Sequence, residues 1–182
     1  MRVVGGELSG RRLASPPGRS RAVRPTADRV REAAFSILGD SVQGASVLDL
    51  FCGTGALAIE ALSRGAARAV LVDREPGLAR RNVGELGLGG RATVVRADAL
   101  AFLRRPGERF ELILCDPPYN IADRLEGNLD SLIPTRLRTG GRLVVESSAR
   151  RALELAGLPV AVERRYGEAL VRIYGKMSHE AL

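Results

Sequence analysis

From residue 46 onward the chain switches repeatedly between a strand pattern and a helix pattern, and this alternation constrains the fold more than any other feature. Short apolar, β-branched runs predict strands at Ser46–Phe51, Ala69–Val72, Thr93–Arg96, Glu111–Cys115 and Arg142–Glu146. Between them, helical spacing predicts helices at Ala56–Arg64, Leu78–Leu86 and Leu100–Arg104, with another covering part of 122–138. Strands alternating with helices imply an α/β fold with a doubly wound, mostly parallel sheet. The end of the chain differs. Val160–Arg164 and Ala169–Tyr174 flank "RYGE" with no helix between them, which predicts an antiparallel hairpin closing the sheet.

The segment before residue 46 is of another kind. Residues 1–25 are rich in Arg, Gly, Ser and Pro, and a short hairpin pairing Arg2–Val4 with Arg11–Leu13 fits them. In "RPTADRVREAAFSIL", Thr26 is placed to cap a helix, after Pro25 has held Arg24 extended. Val30, Ala33, Ala34, Ile37 and Leu38 make its apolar stripe, with Arg29, Arg31 and Glu32 off it. The expected organisation is a basic extension over 1–25, one domain over 26–176 and a polar tail over 177–182.

Charge is placed unevenly. The net charge is +7, and residues 1–31 hold eight arginines against Glu7 and Asp28, almost the whole excess. A polyanionic partner fits that placement, with Arg11, Arg12, Arg19, Arg21, Arg24 and Arg29 as candidate RNA-phosphate contacts. GC-rich coding sequence accounts for Arg over Lys but not for where the arginines stand. No apolar run approaches the ~20 residues of a membrane span, and the N-terminus lacks the apolar core of a secretory signal. Two cysteines are too few for a disulfide framework. The expectation is a cytoplasmic protein with reduced thiols, Cys52 and Cys115 being small buried residues. His179, the single histidine, lies in the tail, and no cluster of ligands suggests a metal.

"VLDLFCGTGALAIEAL" reads as strand, tight turn, helix. Gly53 and Gly55 let a ligand approach the backbone. Gly53-x-Gly55-x-x-Ala58 also fits a dinucleotide loop, so NAD is an alternative at this point. The acids favour another ligand. Asp49 lies inside the first strand, where a carboxylate repels a pyrophosphate and attracts an amine. Asp73 ends the second strand, placed to accept from ribose hydroxyls. Asp98 ends the third, placed either to accept from an adenine amine or to cap the helix "ALAFL". An amine, a ribose and an adenine together are S-adenosylmethionine.

"ILCDPPYN" ends the fourth strand. Asp116 and the Pro117 carbonyl offer two rigid acceptors, suited to an exocyclic NH2. Tyr119 offers a ring on which a flat base can stack.

Together, "DLFCGTG", Asp73, Asp98 and "DPPY" resemble class I S-adenosylmethionine-dependent methyltransferases acting on planar amino groups. With "RPTADRVREAAFSIL" and the small size, residues 2–175 resemble the RsmD family of 16S rRNA guanine-N2 methyltransferases. The resemblance implies a seven-strand sheet of order 3-2-1-4-5-7-6 and methylation of one guanine of 16S rRNA within the 30S subunit; a monomer is expected. Carried over by motif, Asp49, Phe51, Gly53, Thr54, Gly55, Asp73, Arg74, Asp98 and Ala99 form the cofactor set, and Asp116, Pro117, Pro118 and Tyr119 the catalytic set. Asn120 follows without a role. Many guanine-N2 enzymes begin this tetrad with Asn, so Asp116 departs from their pattern. The competing functions are a DNA adenine-N6 methyltransferase, an NAD-dependent oxidoreductase and a non-catalytic RNA-binding protein.

Overall fold

The computed structural model describes residues 1–16, 24–118 and 121–175. Seven strands form one sheet: β1 Ser46–Leu50, β2 Arg68–Asp73, β3 Ala92–Arg96, β4 Phe110–Cys115, β5 Leu137–Ser148, β6 Val160–Tyr166 and β7 Ala169–Tyr174. Their order is β3-β2-β1-β4-β5-β7-β6, as the resemblance implies. The first five strands run parallel, and β7 is antiparallel to both β5 and β6.

The sheet is buried on both faces, as parallel sheets require. Helices α1 Arg24–Leu38, α2 Ala56–Ser63 and α3 Gly77–Glu85 cover one face, with Val30, Phe35, Ile59 and Val83 packed on Val47, Leu71, Leu114 and Ile173. Helices α4 Ala99–Arg104 and α5 Ala122–Arg136 cover the other, with Leu103, Leu129 and Ile133 on Leu48, Ile113 and Val145. Strand residues therefore alternate between the two layers. No described helix is long and apolar enough to cross a membrane.

Three expectations are corrected. First, α1 begins at Arg24, so Thr26 lies inside the helix rather than before it. Pro25 is accommodated because the first helical turn needs no N–H donors. Second, Arg31 lies off the predicted apolar stripe and is nonetheless buried. Its guanidinium reaches Asp28 at 2.9 Å and Glu60 at 3.3 Å, and it donates to the Arg2 carbonyl. Third, β5 is much longer than Arg142–Glu146. A register shift opposite Phe110–Leu112 lets "RTGG" continue the strand as a bulge.

The N-terminal residues are no free arm. Arg2 and Arg12 form an antiparallel bridge, and Val3 and Leu13 enter the same core as α1 and α2. The hairpin lies along α2. Its tip meets the C-terminal end of that helix, where the Glu7 N–H donates to the Ser63 carbonyl at 2.8 Å. Gly6 has φ +76, and a Cβ there would lie 1.9 Å from the Ser63 carbonyl oxygen. The tip thus points to the edge of the sheet opposite the strands' carboxyl ends.

Candidate functional site

The carboxyl ends of β1, β2, β3 and β4 bring Asp49, Asp73, Asp98 and Asp116 to one edge. Beyond β1 the chain turns sharply. Phe51 has φ +61, an uncommon state for an aromatic residue, and Gly53 and Gly55 follow at +53 and +77. The two glycines serve different ends. A Cβ on Gly55 would sit 2.8 Å from Leu71 Cδ2, so Gly55 is needed for α2 to pack on the sheet. No described atom lies within 4 Å of a Cβ position on Gly53, so the described residues leave that side of the loop open.

Asp49 is 1% exposed. Its Oδ2 accepts from the Ala58 N–H at 3.1 Å, while its Oδ1 has no hydrogen-bond partner among the described residues. Burial raises the carboxyl to about 7; the Ala58 N–H opposes the rise and Asp73 adds to it. A buried acceptor left unpaired costs free energy unless a donor arrives. An ammonium group bound at this place would satisfy the oxygen and favour its charged form.

Asp73 organises the loop as well as facing the crevice. Its Oδ2 accepts from the Gly53 N–H at 2.9 Å and its Oδ1 from the Glu75 N–H at 2.8 Å. Each oxygen keeps a lone pair for a ligand hydroxyl. Asp98 caps α4, its Oδ1 accepting from the Ala101 N–H at 2.9 Å, and Ala99 behind it is buried. Its Oδ2 accepts from Arg74 Nε at 3.0 Å. The Ala101 bond, with help from Arg74, holds the carboxyl below its ordinary range. Arg74 is therefore spent on Asp98, closing the β2 and β3 ends together.

On the acceptor side, Asp116 is half-buried, Pro117 buried and Pro118 exposed. The Pro118 carbonyl accepts from the Ile121 N–H at 3.1 Å, which turns the chain into α5. Tyr119 and Asn120 lie outside the described residues, as do Arg19, Arg21 and His179. Cys52 and Cys115 are buried, and burial pushes both thiols up, which suits inert residues. Of the remaining arginine candidates, Arg11, Arg12 and Arg29 are exposed, and Arg24 opens α1.

Several residues shaping this edge carried no motif. Glu146 follows Val145, the partner of Cys115, so it stands level with Asp116 on the next strand. Burial raises its carboxyl and Arg31 draws it down. Asn82 in α3 is 1% exposed and donates to the Thr54 carbonyl at 2.8 Å; its Oδ1 accepts from the Ala14 N–H at 2.7 Å. Thr54 in turn directs its hydroxyl to Met1 Sδ at 3.7 Å. The glycine loop thus rests on the N-terminal segment. Asn82 stands among Arg80, Arg81 and Glu85 in α3, so nothing in the sequence sets it apart from the helix's other polar residues.

A seven-strand sheet of this order, with a glycine loop after β1 and acids at successive strand ends, defines the class I methyltransferase fold. The model of the family described as conserved hypothetical protein 95 matches residues 1–175, and the chain belongs to that family. Ribosomal RNA small subunit methyltransferase D of Escherichia coli K12 is 39% identical over 121 residues, 65% of this chain and 60% of that protein. The chain thus aligns with about three-fifths of that relative's length. The putative rRNA methyltransferase YlbH of Bacillus subtilis is 36% identical, over 97% of this chain and 99% of its own. The solved structure of the putative methyltransferase yhhF from Escherichia coli superposes with a TM-score of 0.80 at 32% identity, covering 98% of this chain and 99% of that one.

Proposed function

We propose that this chain is an S-adenosylmethionine-dependent methyltransferase of small-subunit rRNA, and that its acceptor is the exocyclic N2 amine of one guanine. One observation carries the cofactor: the buried, unpartnered Oδ1 of Asp49 beside the open face of Gly53. A pyrophosphate brought there is repelled, which argues against NAD, whereas an amine is held. Asp73 takes the ribose hydroxyls on its remaining lone pairs. Asp98 and Ala99 border the adenine, and Phe51, Thr54 and Arg74 shape the walls. When bound, the cofactor supplies an electrophilic methyl group on a sulfonium.

The chain's own work lies at the end of β4. Guanine N2 is a poor nucleophile because its lone pair is delocalised into the ring. Asp116 and the Pro117 carbonyl accept its two N–H bonds, draw the nitrogen toward a tetrahedral shape and free the lone pair. Pro117 and Pro118 fix this backbone, and Tyr119 stacks on the base. A paired or stacked guanine is flipped out to reach them. Names of relatives support rRNA as the substrate; the acid at 116 and the tetrad support a planar amine. Exposed Arg11, Arg12 and Arg29, with Arg19, Arg21 and Arg24, hold RNA phosphates, so residues 1–25 serve as an RNA-contacting extension fastened to the methyltransferase domain at Val3 and Leu13.

The test is to incubate the protein with labelled S-adenosylmethionine and either undermethylated 30S particles, their naked 16S rRNA, or duplex DNA. N2-methylguanosine at one rRNA position is expected, and transfer to DNA adenine would replace this reading.

A further inference from the structure

β5 ends at Ser148, and the chain reverses at once: Ser148 and Arg151 form an antiparallel bridge, and the Arg151 N–H donates to the Ser148 carbonyl at 3.0 Å. Beside it lies the tight turn between β6 and β7, with Gly167 at φ +62. The two turns are tied together. The Ala149 N–H donates to the Glu168 carbonyl at 2.8 Å, and Arg150 pairs with the Glu168 carboxylate at 3.1 Å. They form one knuckle bearing Arg150, Arg151, Arg164 and Arg165, all exposed. Glu168 is the acid among them. Glu163 and Glu154 are nearby but face Arg172, at 2.6 Å and 3.8 Å.

The knuckle stands at the working edge. β5 and β6 are each antiparallel to β7, so both end where β1 and β4 end. The register locates it further. Cys115 pairs with Val145, Glu146 with Val171, and Val171 with Arg164. Arg164 is thus three strand spacings from the end of β4, about 14 Å at ~4.8 Å per spacing. The glycine loop lies on the opposite side of Asp116.

Arg164 donates to the Glu163 carbonyl at 2.9 Å and Arg165 Nε to the Gly167 carbonyl at 3.0 Å, and each single bond leaves most of a five-donor guanidinium available. The Arg150–Glu168 pair has side chains 81% and 82% exposed, and such a pair contributes little to stability. Charges on β6 also guard a sheet edge against pairing with another chain. That role does not cover Arg150 and Arg151, which stand off the strand. Guanidinium forks match phosphate oxygens two at a time.

We infer that this knuckle is a second phosphate-binding surface, holding the RNA strand that flanks the acceptor base on the side away from the cofactor. The inference rests on rRNA being the substrate. The substrate would then be held at two places, by the N-terminal residues along α2 and, separately, by Arg150, Arg151, Arg164 and Arg165.

The experiment uses the full chain with R150Q/R151Q, R164Q/R165Q and all four changes combined. Naked 16S rRNA is the probe, with affinity measured over a range of salt. The quadruple variant is expected to bind at least tenfold more weakly at low salt. Its log–log salt slope should be shallower by roughly 0.7–0.9 for each phosphate that the arginines no longer neutralise. Melting temperature and S-adenosylmethionine affinity should match the parent, and each pair should give part of the loss. An unchanged RNA affinity and slope in the quadruple variant overturns the inference while leaving the rRNA reading intact. A parent that binds only 30S particles moves the same comparison onto those particles, and one that binds neither overturns both. If the quadruple variant folds poorly, the R150Q/R151Q pair, off the strand, decides by the same slope.

Discussion

Glu60 of α2 accepts the main-chain N–H of Val4 at 2.8 Å, although 56 positions separate them in the chain. The same carboxylate accepts from the Gly5 N–H at 2.8 Å and from Arg64 Nε at 2.8 Å, with Arg31 Nε at 3.3 Å, and it is wholly buried. It is the point at which the N-terminal hairpin is fastened to the Rossmann-like body. Removing the carboxylate leaves Arg31 only Asp28 and the Arg2 carbonyl, and leaves the Val4 and Gly5 N–H groups without their acceptor. Glu60→Ala is expected to cost about 3–5 kcal/mol, the usual loss when one partner of a buried pair is removed. Urea denaturation measures it, and a loss below about 1 kcal/mol would show that the hairpin is held by other means. By the same reasoning, deleting residues 1–14 should lower thermal stability and cofactor binding together.

Asn82 links that hairpin to the cofactor loop. Asn82→Ala leaves the Thr54 carbonyl and the Ala14 N–H without partners, at a cost of about 1–3 kcal/mol. Because Thr54 sits in the glycine loop, S-adenosylmethionine affinity should fall as well. Titration calorimetry on the folded variant checks this; parental affinity would mean the loop keeps its shape without the amide.

Asp49 gives a pH signature. Unfolded, its carboxyl loses its proton near 3.8; folded, it holds the proton to about 7. Between these values the native state binds the extra proton, so stability from this group is full below about 4 and falls as pH rises toward 7, by at most ~1.4 kcal/mol per unit. A cationic ligand needs the carboxylate. Cofactor affinity should therefore rise with pH up to about 7 and level off above it. Asp49→Asn should flatten both trends, and an Asn variant with the parental pH dependence would remove Asp49 from the amine site.

Gly53 and Gly55 separate two demands on one loop. Gly55→Ala drives a Cβ to within 2.8 Å of Leu71 Cδ2 at φ +77 and should destabilise the fold by more than the ~1–2 kcal/mol of a left-handed residue. Gly53→Ala meets no neighbour among the described residues, so it should cost only that conformational term while losing cofactor affinity through the added methyl. Melting curves and ligand titrations on the two variants should rank them oppositely.

The sheet was legible because its signal is local. Strands such as "SVLDL" and "ELILC" announce themselves by apolar runs of the right length, and the glycines and strand-end acids stand at fixed offsets from them. Asp98 was legible as both a cap and a ligand, and the structure realises the cap. Glu60, Arg31 and Asn82 were not, because each is explained by a partner brought near only by folding. The apolar helix "ALAIEALS" with one Glu did carry a hint: a charge there must be paired when buried. The start of β5 is not legible in the same way, because "RTGG" has turn chemistry, which the bulge opposite Phe110 overrides.

The central claim rests on Asp116 as the acceptor of the substrate amine. Its most direct test is the single-turnover rate of methyl transfer to 16S rRNA by Asp116→Ala, with S-adenosylmethionine affinity measured on the same protein. Asp116 acts as charge shifts on the amine, so affinity should stay within about twofold while the rate falls by about a hundredfold or more. A variant that methylates guanine N2 at near the parental rate would contradict the account.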